Sequence, residues 1–223
     1  MKGITLTHIL LLTTFFTSCL NSYEKKQIQE RYKQSIQFFD SNLVDHFPPE
    51  LPDSCGFNTT IVKADTIEML GFGVDHLYLW KTYPPSKYSE YLSYYQKLSK
   101  ARYSPNDTNL LLVFPYANVM KINGRIFRNQ EPPERQALAK HNVTMANSFP
   151  VPLFEIDQYK GNTFCGLPED FNLYVLDAKP GKYIDDKDLQ ECDCLPEKWK
   201  HGYSKGVAMG NNKQVVIYWL IVW

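Results

Sequence analysis

Apolar and polar residues alternate along this chain in two rhythms, one helical and one extended. Between Glu24 and Phe39, Ile28, Tyr32, Ile36 and Phe39 recur at spacings of three and four, while Lys25, Lys26, Gln29, Lys33 and Gln37 largely lie elsewhere. That spacing places the four apolar residues on one helical face, and no Pro or Gly interrupts the segment. A second helix is predicted after Pro84-Pro85, where Ser86 can cap and Glu90 lies in the first turn. Its stripe is Tyr88, Tyr91, Leu92, Tyr95 and Leu98. A shorter helix follows Pro132-Pro133-Glu134 and runs to about Asn142, with Ala137, Leu138 and Val143 expected to face inward.

The extended rhythm supplies the rest. Phe57 to Val62, Gly71 to Tyr83, Val151 to Tyr159 and Asn172 to Ala178 read as strands rich in β-branched and aromatic residues. Leu110 to Tyr116 is a continuous apolar run between turn signals, which predicts a strand buried on both faces, with Pro115 marking its end or an edge. Asn123-Gly124 between VMKI and RIF predicts a tight hairpin, because both turn residues favour positive φ. Gly206 to Met209, a Gly210-Asn211-Asn212 turn and Lys213 to Trp223 read as a C-terminal β-hairpin. Its second arm, QVVIYWLIVW, would be an aggregation hazard as an exposed edge, so it is expected to pair inside a sheet. Seven or eight strands with hairpin rather than strand–helix–strand spacing predict an α+β fold. This is a single domain, with a mainly antiparallel sheet, an N-terminal helix and one further long helix.

The first 19 residues, MKGITLTHILLLTTFFTSC, change the picture from any domain to an exported one. Lys2 supplies a positive start, and the apolar run from Ile4 to Phe16 is shorter than the roughly 20 residues a spanning helix needs. Residues 1–18 therefore read as a lipoprotein signal peptide and 19–223 as the mature domain, about 205 residues and enough for its own core. Phe16-Thr17-Ser18-Cys19 resembles a lipobox, in which small residues precede a cysteine that is lipidated and becomes the new N-terminus. Here Phe16 stands where Leu is most usual. On the leader, this motif and an aromatic-rich, Pro-punctuated style, the chain resembles the small uncharacterised lipoproteins of Bacteroidetes-type bacteria. The resemblance implies acylation of Cys19, by thioether lipid and N-acyl chain, and attachment to the cell envelope. The expected site is the outer membrane, on its periplasmic or surface face. Two or more acyl chains anchor stably where one does so only marginally.

Charge argues against nucleic acid as a partner: 24 Lys and Arg balance 24 Asp and Glu. Besides Cys19 there are Cys55, Cys165, Cys192 and Cys194, which allow three pairings in a disulfide-permissive compartment. A Cys192–Cys194 bridge closes a very tight ring, and a long-range bridge such as Cys165–Cys192 is easier to build. No C-x-x-C pair, no H-E-x-x-H and no phosphate-binding glycine loop occurs, so neither metal nor cofactor is expected.

Three stretches carry candidate chemistry. Trp199 to Gly206 groups His201, Tyr203, Ser204 and Lys205, and a hydrolase could use Ser204 as nucleophile with His201 or Lys205 as base. The surroundings match no nucleophile motif, and the plainer reading is a loop entering the last hairpin. Asp185, Asp186 and Asp188 with Glu191 and Asp193 could attract Ca²⁺, but the spacing is not that of a calcium loop, and a solvated acidic loop is the plainer reading. His46, His76 and His141 stand alone and read as structural. The tyrosine stripe of the second helix could stack on sugar, although such a stripe is more often a core face. The leading expectation is a membrane-anchored envelope lipoprotein that binds an envelope protein or a glycan. The rival is a hydrolase of envelope or glycan material working through His201 and Ser204.

Overall fold

The computed structural model describes residues 25–61, 67–69, 73–116, 119–122, 125–128, 132–186, 189 and 194–223. They form an α+β domain built on a six-stranded antiparallel sheet. The strands are β1 (Cys55–Thr60), β3 (Asp75–Thr82), β4 (Ala101–Tyr103), β9 (Phe171–Pro180), β10 (Gly202–Gly210) and β11 (Val215–Val222), in the order β1-β3-β11-β10-β9-β4. The C-terminal hairpin β10–β11 thus occupies the centre of the sheet, with β11 between β10 and β3.

Period-two alternation within β11 explains why its sequence looks uniformly apolar. Val216, Tyr218, Leu220 and Val222 face one core, and Val215, Ile217, Trp219, Ile221 and Trp223 face the other. Both faces of the sheet are covered, so both sets must be apolar. The first core lies under three helices: α1 (residues 25–38), α2 (Ser41–Val44) and α3 (Pro85–Leu98). They contribute Tyr32, Leu43, Val44, Tyr88 and Tyr95 against the sheet, joined by Phe39 and Phe47 from the segments between. The second core lies under α4 (Pro133–Asn142) and the short parallel pair β5 (Leu111–Val113) and β8 (Pro150–Pro152). A separate three-stranded sheet contains β2 (Ile67–Met69), β6 (Val119–Ile122) and β7 (Arg125–Arg128). Strands β6 and β7 pair antiparallel with Ile122 opposite Arg125, and the Asn123-Gly124 turn expected between them lies outside the described residues.

Several local expectations shift. The strand expected over Val151 to Tyr159 is three residues long and gives way to a 3₁₀ turn at Asp157–Tyr159. Leu110 to Phe114 is fully buried as expected, but its partner is parallel β8 rather than a hairpin neighbour. Pro85 rather than Ser86 opens α3, with no side-chain cap. Ile28 and Val143 are half exposed, and Ala139 with Asn142 takes the buried face of α4. There the Asn142 amide donates to the Leu112 carbonyl while its oxygen accepts from the Leu112 N–H. The stretch from Gly202, expected as a loop, is already strand β10. At Gly206 the register of β10 on β9 shifts, and a Cβ there would overlap the Tyr174 carbonyl and the Trp219 ring. A glycine is required for Trp219 to cross its neighbour strand so closely.

Candidate functional site

Strand β10 places one lysine where its neighbours are apolar. Tyr203, Lys205, Val207 and Met209 point to the helix-covered face, and the Lys205 side chain is only 10% exposed there. It reaches α2. Its ammonium donates to the Asn42 carbonyl at 2.5 Å and to Asp45 Oδ1 at 2.6 Å. This local logic follows from the shortness of α2, whose final carbonyls have no intrahelical partners and whose negative end attracts a cation. Asp40 caps the other end, accepting from the Asn42 N–H at 2.8 Å.

His46 follows Asp45 and is buried, with a side chain 5% exposed. Its Nε2 lies 3.0 Å from the Trp219 carbonyl, which can only accept, so Nε2 carries the proton and Nδ1 is the bare nitrogen. Nδ1 lies 3.7 Å from Asp45 Oδ1 and has no hydrogen-bond partner among the described residues. Burial lowers the His46 pKa below the ordinary imidazole value and holds the ring neutral.

Directly across from Lys205 on β9 stands Asp177. Its Oδ1 accepts from Lys100 Nζ at 2.5 Å and its Oδ2 from the Tyr203 hydroxyl at 2.6 Å. Burial opposes ionisation of Asp177, but these bonds outweigh it and its pKa sits below the usual carboxylate value. The Tyr203 phenol is pushed up by burial and by Asp177. Lys100 follows the C-terminal end of α3, where Tyr94 and Leu98 are 54% and 50% exposed. Together these side chains line an open cleft of about 460 Å³, within the size range of small-ligand sites. Its floor carries Asp45, Asp177, Lys100, Lys205 and neutral His46, and its wall is the Tyr94–Leu98 edge of α3.

The residues expected to carry chemistry are not brought together. Ser204 points to the opposite face from Lys205, is fully buried, and donates to the Pro150 carbonyl at 2.6 Å. His201 lies before the strand, its Nδ1 buried without a hydrogen-bond partner among the described residues. Neighbours on a strand point to opposite faces, so Lys205 cannot serve Ser204 as a base. The hydrolase constellation is therefore not assembled here. The Cys165–Cys192 bridge is corrected as well. Cys165 is a free thiol buried in the core, its pKa pushed up to about 11 by burial. Cys194 is the disulfide-bonded cysteine, with its partner outside the described residues, and Cys19 and Cys192 also lie outside them. In the acidic loop Asp186 pairs with Lys182 at 2.7 Å, both well exposed. Among the described residues no group of three or more His, Cys, Asp or Glu side chains is placed to hold a metal ion.

The other histidines have ordinary structural partners: His76 Nε2 lies 3.1 Å from Asn58 Oδ1, and His141 Nε2 lies 3.1 Å from the Leu110 carbonyl. The tyrosine stripe is core, with Tyr88 and Tyr95 each 5% exposed, and Trp199, Trp219 and Trp223 are buried. Sequence reasoning overlooked the pairing of Asp45 with Lys205. The one signal was a lysine inside the apolar hairpin, at a parity that sets it with Val207 and Met209. No protein-family model matches the chain, and no curated protein or solved structure is significantly similar to it. No helix among the described residues is long and apolar enough to cross a membrane.

Proposed function

We propose that this chain is a lipid-anchored protein of the cell envelope, attached through acylated Cys19 and acting as a binding module through the cleft between α2, α3, β9 and β10. The observation that carries the binding reading is unspent hydrogen-bonding capacity at the cleft floor. Among the described residues His46 Nδ1 is buried without a hydrogen-bond partner, beside a buried Lys205 that uses two of its three donors. Buried polar groups are nearly always satisfied, so an unsatisfied acceptor sealed on a residue that lines a cleft supports a partner at that cleft. The hydrolase alternative loses its support because the Ser204 hydroxyl is sealed under Pro150.

The leader carries the anchoring half of the proposal. From Cys19 to residue 25, the first described residue, the chain can reach at most about 20 Å. The domain would therefore stay close to the bilayer, facing envelope proteins or glycans. Anchoring is tested by mass spectrometry of the membrane fraction, where an acylated N-terminal Cys19 is expected and Cys19→Ala should release or fail to process the protein. An unmodified soluble form of the native chain would end that half. Binding is tested by placing a photo-crosslinking residue at Tyr94, on the cleft wall, and at Val143, on α4, in intact cells. Adducts specific to Tyr94 are expected. Equal labelling, or none at Tyr94, would refute the cleft as the binding surface.

A further inference from the structure

We infer that the cleft takes a neutral, polyhydroxylated ligand, a sugar ring of a glycan, seated with its hydroxyls on the Asp45–Lys205–His46 floor and its apolar face against Tyr94 and Leu98. This rests on the binding-module reading and adds the chemical class of ligand to it.

The first argument is charge. The floor holds two carboxylates, Asp45 and Asp177, and two ammonium groups, Lys100 and Lys205, with His46 kept neutral by burial. Each carboxylate is already paired with one of these lysines, at 2.6 Å and 2.5 Å. A charged ligand would meet no net field of opposite sign from the four floor groups, with only the exposed Lys179 added at the rim, 3.7 Å from Asp177 Oδ2, and it would have to break an ion pair to form its own. A neutral ligand has neither problem.

The second argument is the pattern of hydrogen bonds still open. Lys205 keeps one N–H, a donor, with no partner among the described residues. His46 Nδ1 is an acceptor in the same condition. Asp45, 59% exposed at its side chain, commits only Oδ1 to Lys205 and leaves its other oxygen as an acceptor at the cleft. A hydroxyl is the group that donates and accepts at once. A ligand hydroxyl entering beside Asp45 can accept from Lys205 while donating to the second Asp45 oxygen, next to the sealed Nδ1 of His46. Across the floor both Asp177 oxygens are committed, to Lys100 and to the Tyr203 hydroxyl, so a second ligand hydroxyl there would accept from Lys100.

The third argument is the wall. Tyr94 and Leu98 are four residues apart on α3 and so share a face, and each leaves about half its surface uncovered. Tyr94 is outside the buried stripe that Tyr88 and Tyr95 present to the sheet. Its ring is held edge-on by Tyr95 with centroids 5.2 Å apart, which restrains the platform. A pyranose carries its C–H bonds on one face and its hydroxyls at the edge, and it matches an apolar wall meeting a polar floor.

The full-length chain, exported and purified in detergent, is applied to an array of neutral oligosaccharides built from hexoses and N-acetylhexosamines. Inorganic phosphate and tetragalacturonate serve as anionic probes. Binding of at least one neutral glycan is expected. It should be weakened about tenfold by Tyr94→Ala, a change at an exposed position. The His46 imidazole nitrogen signals should move when that glycan is titrated. The sugar assignment is overturned if no neutral glycan binds, if Tyr94→Ala leaves binding unchanged, or if the His46 signals stay still. Phosphate or galacturonate competing for the same cleft would overturn it too, while leaving the binding-module reading standing. Absence of all binding together with absence of Tyr94-specific crosslinks in cells would bring down both.

Discussion

The Asp45–Lys205 pair should show a marked asymmetry on mutation, because its two members are buried unequally. The Lys205 side chain is 10% exposed and the Asp45 side chain 59%, at a separation of 2.6 Å. Asp45→Ala removes the compensating charge and leaves an ammonium in the protein with only the Asn42 carbonyl as partner. Breaking a buried pair this way costs about 3–5 kcal/mol. Partial exposure of the site and the surviving Asn42 bond reduce this to about 2–3 kcal/mol. Lys205→Met keeps most of the aliphatic stem and removes the charge. Asp45 then turns to solvent at little cost, so the change should fall within about 1 kcal/mol of neutral. In a chain of this length, 1 kcal/mol corresponds to roughly 2–4 °C in Tm. Asp45→Ala should therefore lower Tm by roughly 5–10 °C and Lys205→Met by a few degrees at most. The double variant should resemble Lys205→Met alone, since Asp45 no longer has a buried charge to neutralise. Thermal melts followed by circular dichroism at pH 7, with urea denaturation for the free energies, measure all three. Strictly additive losses in the double variant, or Lys205→Met proving the more damaging single change, would refute the assignment of Lys205 as a buried cation dependent on Asp45.

Gly206→Ala forces a Cβ into the Tyr174 carbonyl and the Trp219 ring, and should cost at least about 1–3 kcal/mol; a melt indistinguishable from wild type would contradict the packing described. Ser204→Ala should destabilise the protein by about 1–2 kcal/mol, through loss of the buried bond to Pro150, in the same urea titration. Cys165 should resist thiol reagents in the native chain and react only on unfolding, given complete burial and a pKa pushed up to about 11, as residue-resolved mass spectrometry will report. His46 and His76 both have pKa values lowered by burial, His76 to about 4, so the unfolded chain binds more protons below pH 6.5. Their contribution to stability is complete above about pH 6.5 and is lost as pH falls toward 4, by up to about 1.4 kcal/mol per pH unit for each. Stability that stays flat in urea titrations between pH 7 and pH 4.5 would show that these rings are not held neutral.

Much of the architecture was legible because it is local. The helical stripe of α3, the C-terminal hairpin and the antiparallel character of the sheet follow from spacings of three, four and two, which depend only on a residue's near neighbours. The misreadings cluster where local rhythm is silent. Ile28 fits the stripe of α1 by spacing and Leu98 that of α3, yet both are half exposed. Pro150-Val151-Pro152 is a strand only because β5 lies beside it in parallel. The loop expected at Trp199 to Gly206 is strand from Gly202 onward, because β9 and β11 pair with it on both sides.

The sequence by itself carries the whole basis for the proposed export and lipidation signal in residues 1–19, and it determined the alternating apolar arm that must be buried, since both rest on the chemistry of contiguous residues. It also placed Ser204 and Lys205 side by side, and there only the tertiary structure could separate them. Which face of the sheet each side chain met was decided by the register of β10 against β9 and β11. Ser204 went to Pro150 in one layer and Lys205 to α2 in the other. Lys205 and Asp45 are 160 residues apart, and Tyr94 arrives from a third element. Charge pairing across such distances leaves no periodic trace in a single chain. The buried cation, the unpartnered nitrogen of His46 and the cleft they line therefore became visible only once the helices were packed on the sheet.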